Sequence, residues 1–132
     1  MEDVRALRGI WTWLPLLLYA GGITWLSSQP SSDLPALLFT GEDKLVHMAI
    51  YSLFGALAAR AAIRAGLGRR AILLYLACVA YGLFDEWYQQ FTPGRSSDLF
   101  DALADALGAA AGFALVLRYH RARHVSRHPP LR

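Results

Sequence analysis

Charged residues are scarce in this chain, and cysteine is almost absent. Charged side chains make up 17% of the 132 residues, whereas soluble proteins average about 25%. Long apolar stretches separate the charges that remain. The net charge is +3, but with such stretches the basic excess favours a membrane surface over nucleic acid. Cys78 is the single cysteine, which excludes an intramolecular disulfide.

Four apolar segments are each long enough to cross a bilayer, whose hydrocarbon core takes about 20 residues of helix. They lie at about residues 10–27, 44–65, 70–89 and 99–119. The first follows basic residues, as a signal peptide does, but it has tryptophan at both ends and no small-x-small cleavage site. We therefore predict an all-α polytopic membrane protein. It is a single domain over residues 1–132, a bundle of four transmembrane helices with a basic cytoplasmic tail at 120–132.

The distribution of charge predicts an orientation. Eleven of the 13 lysine and arginine residues lie at or near the N-terminus, the loop between the second and third segments, or the C-terminal tail. Lys44 and Arg95 are the exceptions, and eight of the ten acidic residues lie on their side. Because basic residues stay on the cytoplasmic side, we expect both termini inside (N-in/C-in). The expected partner is the lipid bilayer, with no nucleic acid.

Polar side chains interrupt the apolar pattern near one end of the second and third segments. At 100° per residue, one face of the second segment carries a cation, an imidazole and a phenol: Lys44, His47 and Tyr51. The third segment ends with two carboxylates and an amide: Asp85, Glu86 and Gln89. Ionisable groups at membrane depth are costly, so they indicate a site or an ion-pair network.

The loop after the third segment and the start of the fourth add further charges: Arg95, Asp98, Asp101 and Asp105. Asp101 and Asp105 are one helical turn apart in the fourth segment. Gly108 and Gly112 continue along the same face and permit close approach of another helix. We predict that all these polar groups form one cup at the non-cytoplasmic end. The alternative is a set of interhelix ion pairs and helix caps, with Asp43 capping the second helix and Asp98 or Asp101 the fourth.

In their order and spacing these residues resemble the VanZ-like family of bacterial membrane proteins. The pattern is Asp43-Lys44-x-x-His47-x-x-x-Tyr51, then Asp85-Glu86-x-x-Gln89-x-Phe91-x-Pro93-Gly94-Arg95-x-x-Asp98-x-x-Asp101, then Gly108 and Gly112. The resemblance implies a multi-pass protein of the bacterial cytoplasmic (inner) membrane that acts in the cell envelope. The family is named for a glycopeptide-resistance protein that lowers sensitivity to teicoplanin. Asp105 departs from the pattern, in which asparagine is expected in many members.

Three functions compete for the cup. The first is an enzyme that acts on a lipid-linked envelope component, with His47 as general acid or base and Asp85 or Glu86 as its partner. Arg95 and Lys44 would bind a phosphate or carboxylate. The whole predicted substrate-binding set is Lys44, Tyr51, Gln89, Arg95, Asp98, Asp101 and Asp105.

The second function is a non-catalytic binder of a cell-wall precursor, a glycolipid or a lipophilic glycopeptide antibiotic. The third is a small transporter with His47 and Asp105 as a proton relay.

We expect no cofactor and no metal. Nitrogen and oxygen ligands are available, but no compact metal-binding spacing joins the residues that offer them: His47, Asp85, Glu86 and Asp101. Three serines, Ser27, Ser28 and Ser96, lie at the level of the cup. The sequence does not link any of them to His47.

Overall fold

A computed structural model describes residues 2–35, 39 and 41–127, and the side chains of those between residues 9 and 123. It contains four helices: α1 Glu2–Ser27, α2 Glu42–Arg64, α3 Ala71–Gln89 and α4 Leu99–Arg127. Short 3-10 turns lie at Ser31–Asp33 and Gly68–Arg70. These residues include no strand, which confirms the all-α prediction. Residues 128–132 of the predicted basic tail lie outside the described residues.

Each helix contains a stretch long and apolar enough to cross a membrane: Gly9–Ser27, Glu42–Arg64, Gly68–Gln89 and Leu99–Arg123. Large apolar side chains such as Leu18, Leu73 and Leu115 are exposed on the outside of the bundle. Lipid solvates such a surface and water does not. The prediction of a polytopic bundle of four helices is confirmed. α4 continues past the predicted span to Arg127, because residues 120–127 include three arginines, which favour helix, and no glycine or proline.

α2 and α4 form the closest helix pair. A side-chain carbon at Gly112 would overlap the backbone carbonyl of Ser52, and one at Gly108 would overlap that of Met48. Gly55 on α2 faces Ala109 in the same way. Small residues on both helices bring the backbones together, as in other membrane helix pairs. The glycine stripe of the sequence is therefore the α2 contact surface of α4, and it fixes the register between these two helices.

α1 is held to the bundle by hydrogen bonds. The Tyr19 hydroxyl donates to the Ile50 carbonyl of α2 at 2.9 Å, and the Tyr81 hydroxyl of α3 donates to the Ala20 carbonyl at 2.7 Å. The hydroxyls of Thr24 and Tyr81 also contact each other. Such polar contacts are useful in a membrane, where hydrophobic burial does not drive helix association.

Consecutive helices run in opposite directions, so the ends of α1 and α3 meet the starts of α2 and α4. The Ser27 hydroxyl of α1 donates to the Asp85 carboxylate of α3 at 2.7 Å. Lys44 of α2 donates to Asp101 of α4 at 2.9 Å. This end of the bundle, here the acidic end, holds the polar residues that the sequence places in a cup.

Candidate functional site

The loop between α3 and α4 is anchored to the last turn of α1. The Thr92 hydroxyl donates to the Ser27 carbonyl at 3.1 Å, and Arg95 Nη1 donates to the Leu26 carbonyl at 3.1 Å. These carbonyls belong to the last turn of α1, where backbone carbonyls have no N–H partner within the helix itself. Gly94 turns the loop with φ +73°, against Ser31. Arg95 therefore has a structural contact at the acidic end, whatever else it binds.

An outer cluster consists of Lys44, Asp43, Asp98 and Asp101. Lys44 Nζ donates to Asp98 at 2.7 Å, to Asp101 at 2.9 Å and to Asp43 at 3.1 Å. An ammonium has three N–H donors, and three carboxylates accept them. About a third of the Lys44 side chain is exposed. The predicted use of Lys44 as a ligand for a substrate anion would require it to leave one of these partners.

Asp98 also begins α4. Its Oδ1 accepts from the backbone N–H of Phe100 at 2.8 Å, which is the geometry of an N-cap. The hydrogen bond from Lys44, followed by the one from Phe100, holds the pKa of Asp98 below its usual value. The cap that the sequence allowed at Asp98 or Asp101 is thus made by Asp98.

An inner cluster consists of His47, Glu86 and Asp105, one each from α2, α3 and α4. His47 Nδ1 lies 3.0 Å from Asp105 Oδ1 and 3.6 Å from Glu86 Oε1. The second Glu86 oxygen accepts from the backbone N–H of Asp98 at 2.9 Å, which joins the two clusters. Asp105 is 0% exposed and Glu86 3%. The closest carboxylate to the imidazole is therefore Asp105, which the sequence assigned to substrate binding.

Three buried polar atoms of this region have no hydrogen-bond partner within the described part of the chain: Glu86 Oε1, Asp105 Oδ2 and the Tyr51 hydroxyl. A carbon added at Gly82 would lie 3.2 Å from Tyr51 Cε1 and 3.3 Å from Asp105 Oδ2. The hydroxyl end of the Tyr51 ring and the Asp105 carboxylate therefore border the same space above Gly82. Buried polar atoms without partners are rare in proteins and call for an explanation.

Asp85 points away from the inner cluster, towards α1. Its Oδ2 accepts from the Ser27 hydroxyl at 2.7 Å and from Gln89 Nε2 at 3.2 Å. Neighbouring helix residues differ by about 100° in direction, so Asp85 and Glu86 face different helices. The predicted catalytic set of His47, Asp85 and Glu86 is thus divided, with Glu86 beside the imidazole and Asp85 in a separate network.

A cleft of about 800 Å³ opens at the acidic end. One part of its wall is apolar and comes mainly from α1 and α2: Ile23, Leu26, Val46 and Ile50, together with Leu34 and Pro35. The other part is polar: Ser27, Ser31, Ser32, Glu42, Asp43, His47, Tyr51, Asp85, Gln89, Arg95, Ser96 and Asp101. The cleft thus brings together five predicted site residues of α2, α3 and the loop, plus Asp101 of α4. The other four predicted site residues do not line the cleft: Lys44, Glu86, Asp98 and Asp105.

Ser27 is the residue that sequence reasoning recognised least well. It is buried, bonds to Asp85 and contributes to the cleft wall. Its place at the end of the first apolar segment puts it at the level of Asp85, but nothing local identifies its partner. Only the packing of α1 against α3 makes the contact.

Two groups of residues have potential metal-ligand atoms within 4.8 Å of one another: His47, Glu86 and Asp105, and Asp43, Asp98 and Asp101. Each group draws on more than one helix. This is why no compact spacing in the sequence marks either of them.

The chain was compared with known families, curated proteins and solved structures. Neither a curated protein nor a solved structure matches it. The profile of the VanZ/LLP1 family matches residues 13–120, a range that covers most or all of each apolar span and every residue of both clusters. This confirms the resemblance seen in the sequence: the chain is a membrane protein of the VanZ/LLP1 family.

Proposed function

We propose that the protein binds an amphipathic, lipid-linked component of the cell envelope, with the polar headgroup in the cleft at the acidic end. The observation that carries this proposal is the division of the cleft wall into an apolar part and a polar part. Binding sites for amphipathic molecules combine such an apolar surface with a few placed polar groups.

The apolar part of the wall suits a lipid chain. Ile23 and Leu26 come from α1 and Val46 and Ile50 from α2. Val46 is 45% exposed, so it belongs both to the cleft and to the outer surface of the bundle. A chain lying along these residues would stay in contact with the lipid phase while its headgroup reached His47 and Asp85.

The polar part of the wall favours a headgroup rich in hydroxyls or amines. Four carboxylates line the cleft, from Glu42, Asp43, Asp85 and Asp101, against the cation of Arg95 and the imidazole of His47. Lys44 already serves three carboxylates. Since carboxylates accept hydrogen bonds and attract cations, a glycan or an aminated peptide fits better than a bare phosphate. A lipid-linked cell-wall precursor has such a headgroup, and so does a lipophilic glycopeptide such as teicoplanin.

We also propose that the acidic end faces outwards in the bacterial cytoplasmic membrane, with both termini inside. The support is the placement of 11 of the 13 basic residues at the opposite end. In a Cys78→Ser background, an impermeant maleimide should label Ser96→Cys in intact cells and Gly66→Cys only after permeabilisation. The reverse pattern would place the cleft inside.

The binding proposal is tested with the full chain in nanodiscs and a lipid-linked cell-wall precursor as ligand. Val46→Trp fills the apolar wall and should weaken binding on the order of tenfold, about 1.4 kcal/mol. Leu53→Trp is the matched control, since Leu53 is similarly exposed on the same helix but does not line the cleft. It should leave the affinity unchanged.

Equal effects of the two tryptophans would contradict the cleft as the site. The headgroup part of the proposal is tested with a polyprenyl phosphate that lacks the glycan, which should bind more weakly than the complete precursor. Equal binding would contradict a headgroup-specific site. Tighter binding of teicoplanin than of the precursor would assign the cleft to the antibiotic and overturn the lipid-linked precursor as occupant.

A further inference from the structure

The inner cluster has the composition and geometry of a metal site. It presents one imidazole nitrogen and two carboxylates, with ligand atoms within 4.8 Å of one another. Ligand atoms bound to Zn²⁺ at about 2.0–2.2 Å lie roughly 3.4 Å apart in a tetrahedral arrangement. The distances from His47 Nδ1 to Asp105 and Glu86, 3.0 and 3.6 Å, are close to that value.

The buried atoms without partners are a second and independent observation. Glu86 Oε1 and Asp105 Oδ2 have no hydrogen-bond donor among the described residues, and neither does the hydroxyl of Tyr51, whose ring borders the same space above Gly82 as Asp105. Tyr51 is 1% exposed and is not a member of the cluster. Oxygen atoms at this depth need a cation, a donor or a proton. Of these, a divalent cation is the one that would serve both carboxylates at once.

The charge of the surroundings favours a cation further. Lys44, the single lysine of the sequence, is held by the outer cluster, and Arg95 contacts the end of α1. Two carboxylates and one imidazole therefore share a buried position with no lysine or arginine bonded to them within the described part of the chain. A charge of +2 would balance both carboxylates, at a depth where an unbalanced charge is costly.

We propose that His47, Glu86 and Asp105 bind a single divalent cation of the first transition row, of which Zn²⁺ and Mn²⁺ are the best matches. Imidazole ligands suit zinc, and carboxylates suit manganese. The cation takes the place of the hydrogen that His47 Nδ1 and Asp105 Oδ1 share, so that hydrogen leaves as a proton when the metal binds. This proposal differs from the sequence-based expectation of no metal, because its three ligands come from three helices and no spacing in the sequence joins them.

This site would also connect the metal with the cleft. His47 lines the cleft, whereas Glu86 and Asp105 lie behind it. Three protein ligands leave a coordination position for another molecule, as in zinc sites that bind a water or substrate. The metal proposal nevertheless does not depend on the proposed lipid-linked ligand, because it rests on the inner cluster alone.

The test uses the full chain in phosphatidylcholine nanodiscs, treated with a chelator and then dialysed against Zn²⁺ alone or Mn²⁺ alone. Metal analysis should give one bound ion per chain. Glu86→Gln and Asp105→Asn keep the size of each side chain and should each weaken binding by at least about tenfold, since even lost outer partners of metal ligands cost ten- to hundredfold. Asp85→Asn is the matched control, a buried carboxylate adjacent in sequence to Glu86 that bonds elsewhere, and it should retain the metal.

The proposal is overturned if the wild type binds neither ion, or if Asp85→Asn and Glu86→Gln lose metal equally. It is also overturned if only Asp101→Asn loses metal, because the ion would then belong to the outer cluster. A further test uses the wild type alone, so that misfolding of a variant cannot explain its result. Zn²⁺ or Mn²⁺ should raise the wild-type unfolding temperature in a concentration-dependent way. No rise with either ion contradicts the site. Metal binding is measured without the lipid-linked ligand, and precursor binding can be measured in chelator, so the two proposals can fail separately.

Discussion

The two polar clusters at the acidic end contain similar groups but differ in how those groups are paired. In the outer cluster, three carboxylates share the three donors of Lys44, and Asp98 also caps α4. In the inner cluster, two carboxylates meet one imidazole and two of their oxygens have no donor within the described residues. The outer cluster is the more exposed of the two, so water could solvate its charges even without ion pairs, yet its charges are the fully paired ones.

This difference is the basis for proposing a structural role for the outer cluster and a binding role for the inner one. Paired charges that join the starts of two helices fix the ends of those helices, which accounts for the outer cluster. The inner cluster also joins helices, through His47 and Asp105, but its buried oxygens without donors cost stability, and this cost is the reason for the proposal that another group binds there. The ion-pair alternative considered for the sequence thus accounts for the outer cluster, but in the inner cluster it leaves two carboxylate oxygens without a donor within the described residues.

Removal of Lys44 should have the largest effect on stability. Lys44→Met leaves three carboxylates close together without their cation, one of them the buried Asp101, and such uncompensated charges are strongly destabilising. We expect a clear fall in the unfolding temperature in nanodiscs. Arg70→Met, which removes an exposed cation at the opposite end, should change it little. Equal behaviour of the two variants would show that the outer cluster does not stabilise the fold.

Replacement of Asp98 should have a smaller effect that depends on pH. Asn is as good an N-cap as Asp, so Asp98→Asn removes the charge and keeps the cap. Because the pKa of Asp98 is lowered in the folded protein, its charge stabilises the fold above its ordinary pKa, and that contribution is lost as the pH falls through the folded pKa. The variant should unfold at a lower temperature than the wild type at pH 7. The difference should shrink below about pH 4.

The effect of Asp98→Asn should also be modest and sensitive to salt, since both side chains of its ion pair with Lys44 are about a third exposed and such pairs are screened. A difference that grows as the pH falls would contradict the assignment of Asp98 to the Lys44 network.

The fold and the level of the site were accessible from sequence, for physical reasons. A helix that crosses a bilayer must be long and apolar, so four spans are visible in the composition alone. The 100° spacing then groups Lys44, His47 and Tyr51 on one face of α2. It also identifies Gly108 and Gly112 as a contact stripe, and the structure shows that they meet α2.

The pairing within the site was not accessible, because it depends on how helices are placed against each other. His47 meets Asp105 only because Gly108 and Gly112 set the register of α4 on α2. Asp85 and Glu86 are adjacent in sequence, yet one bonds to α1 and the other faces α2 and α4. Periodicity gives the direction of a side chain from its own helix, and it does not say which helix lies in that direction.

The contrast between the clusters is tested most directly by the unfolding temperature of Glu86→Gln in chelator-treated nanodiscs, measured beside the wild type. Glutamine keeps an oxygen for the Asp98 N–H and removes one of two neighbouring buried carboxylates, while His47 keeps its contact with Asp105. The change therefore removes like-charge repulsion and the cost of burying a charge. We predict an unfolding temperature equal to or above that of the wild type without metal, and no further rise when Zn²⁺ is added. A marked loss of stability without metal would contradict the account, because it would make the inner cluster part of the structural network.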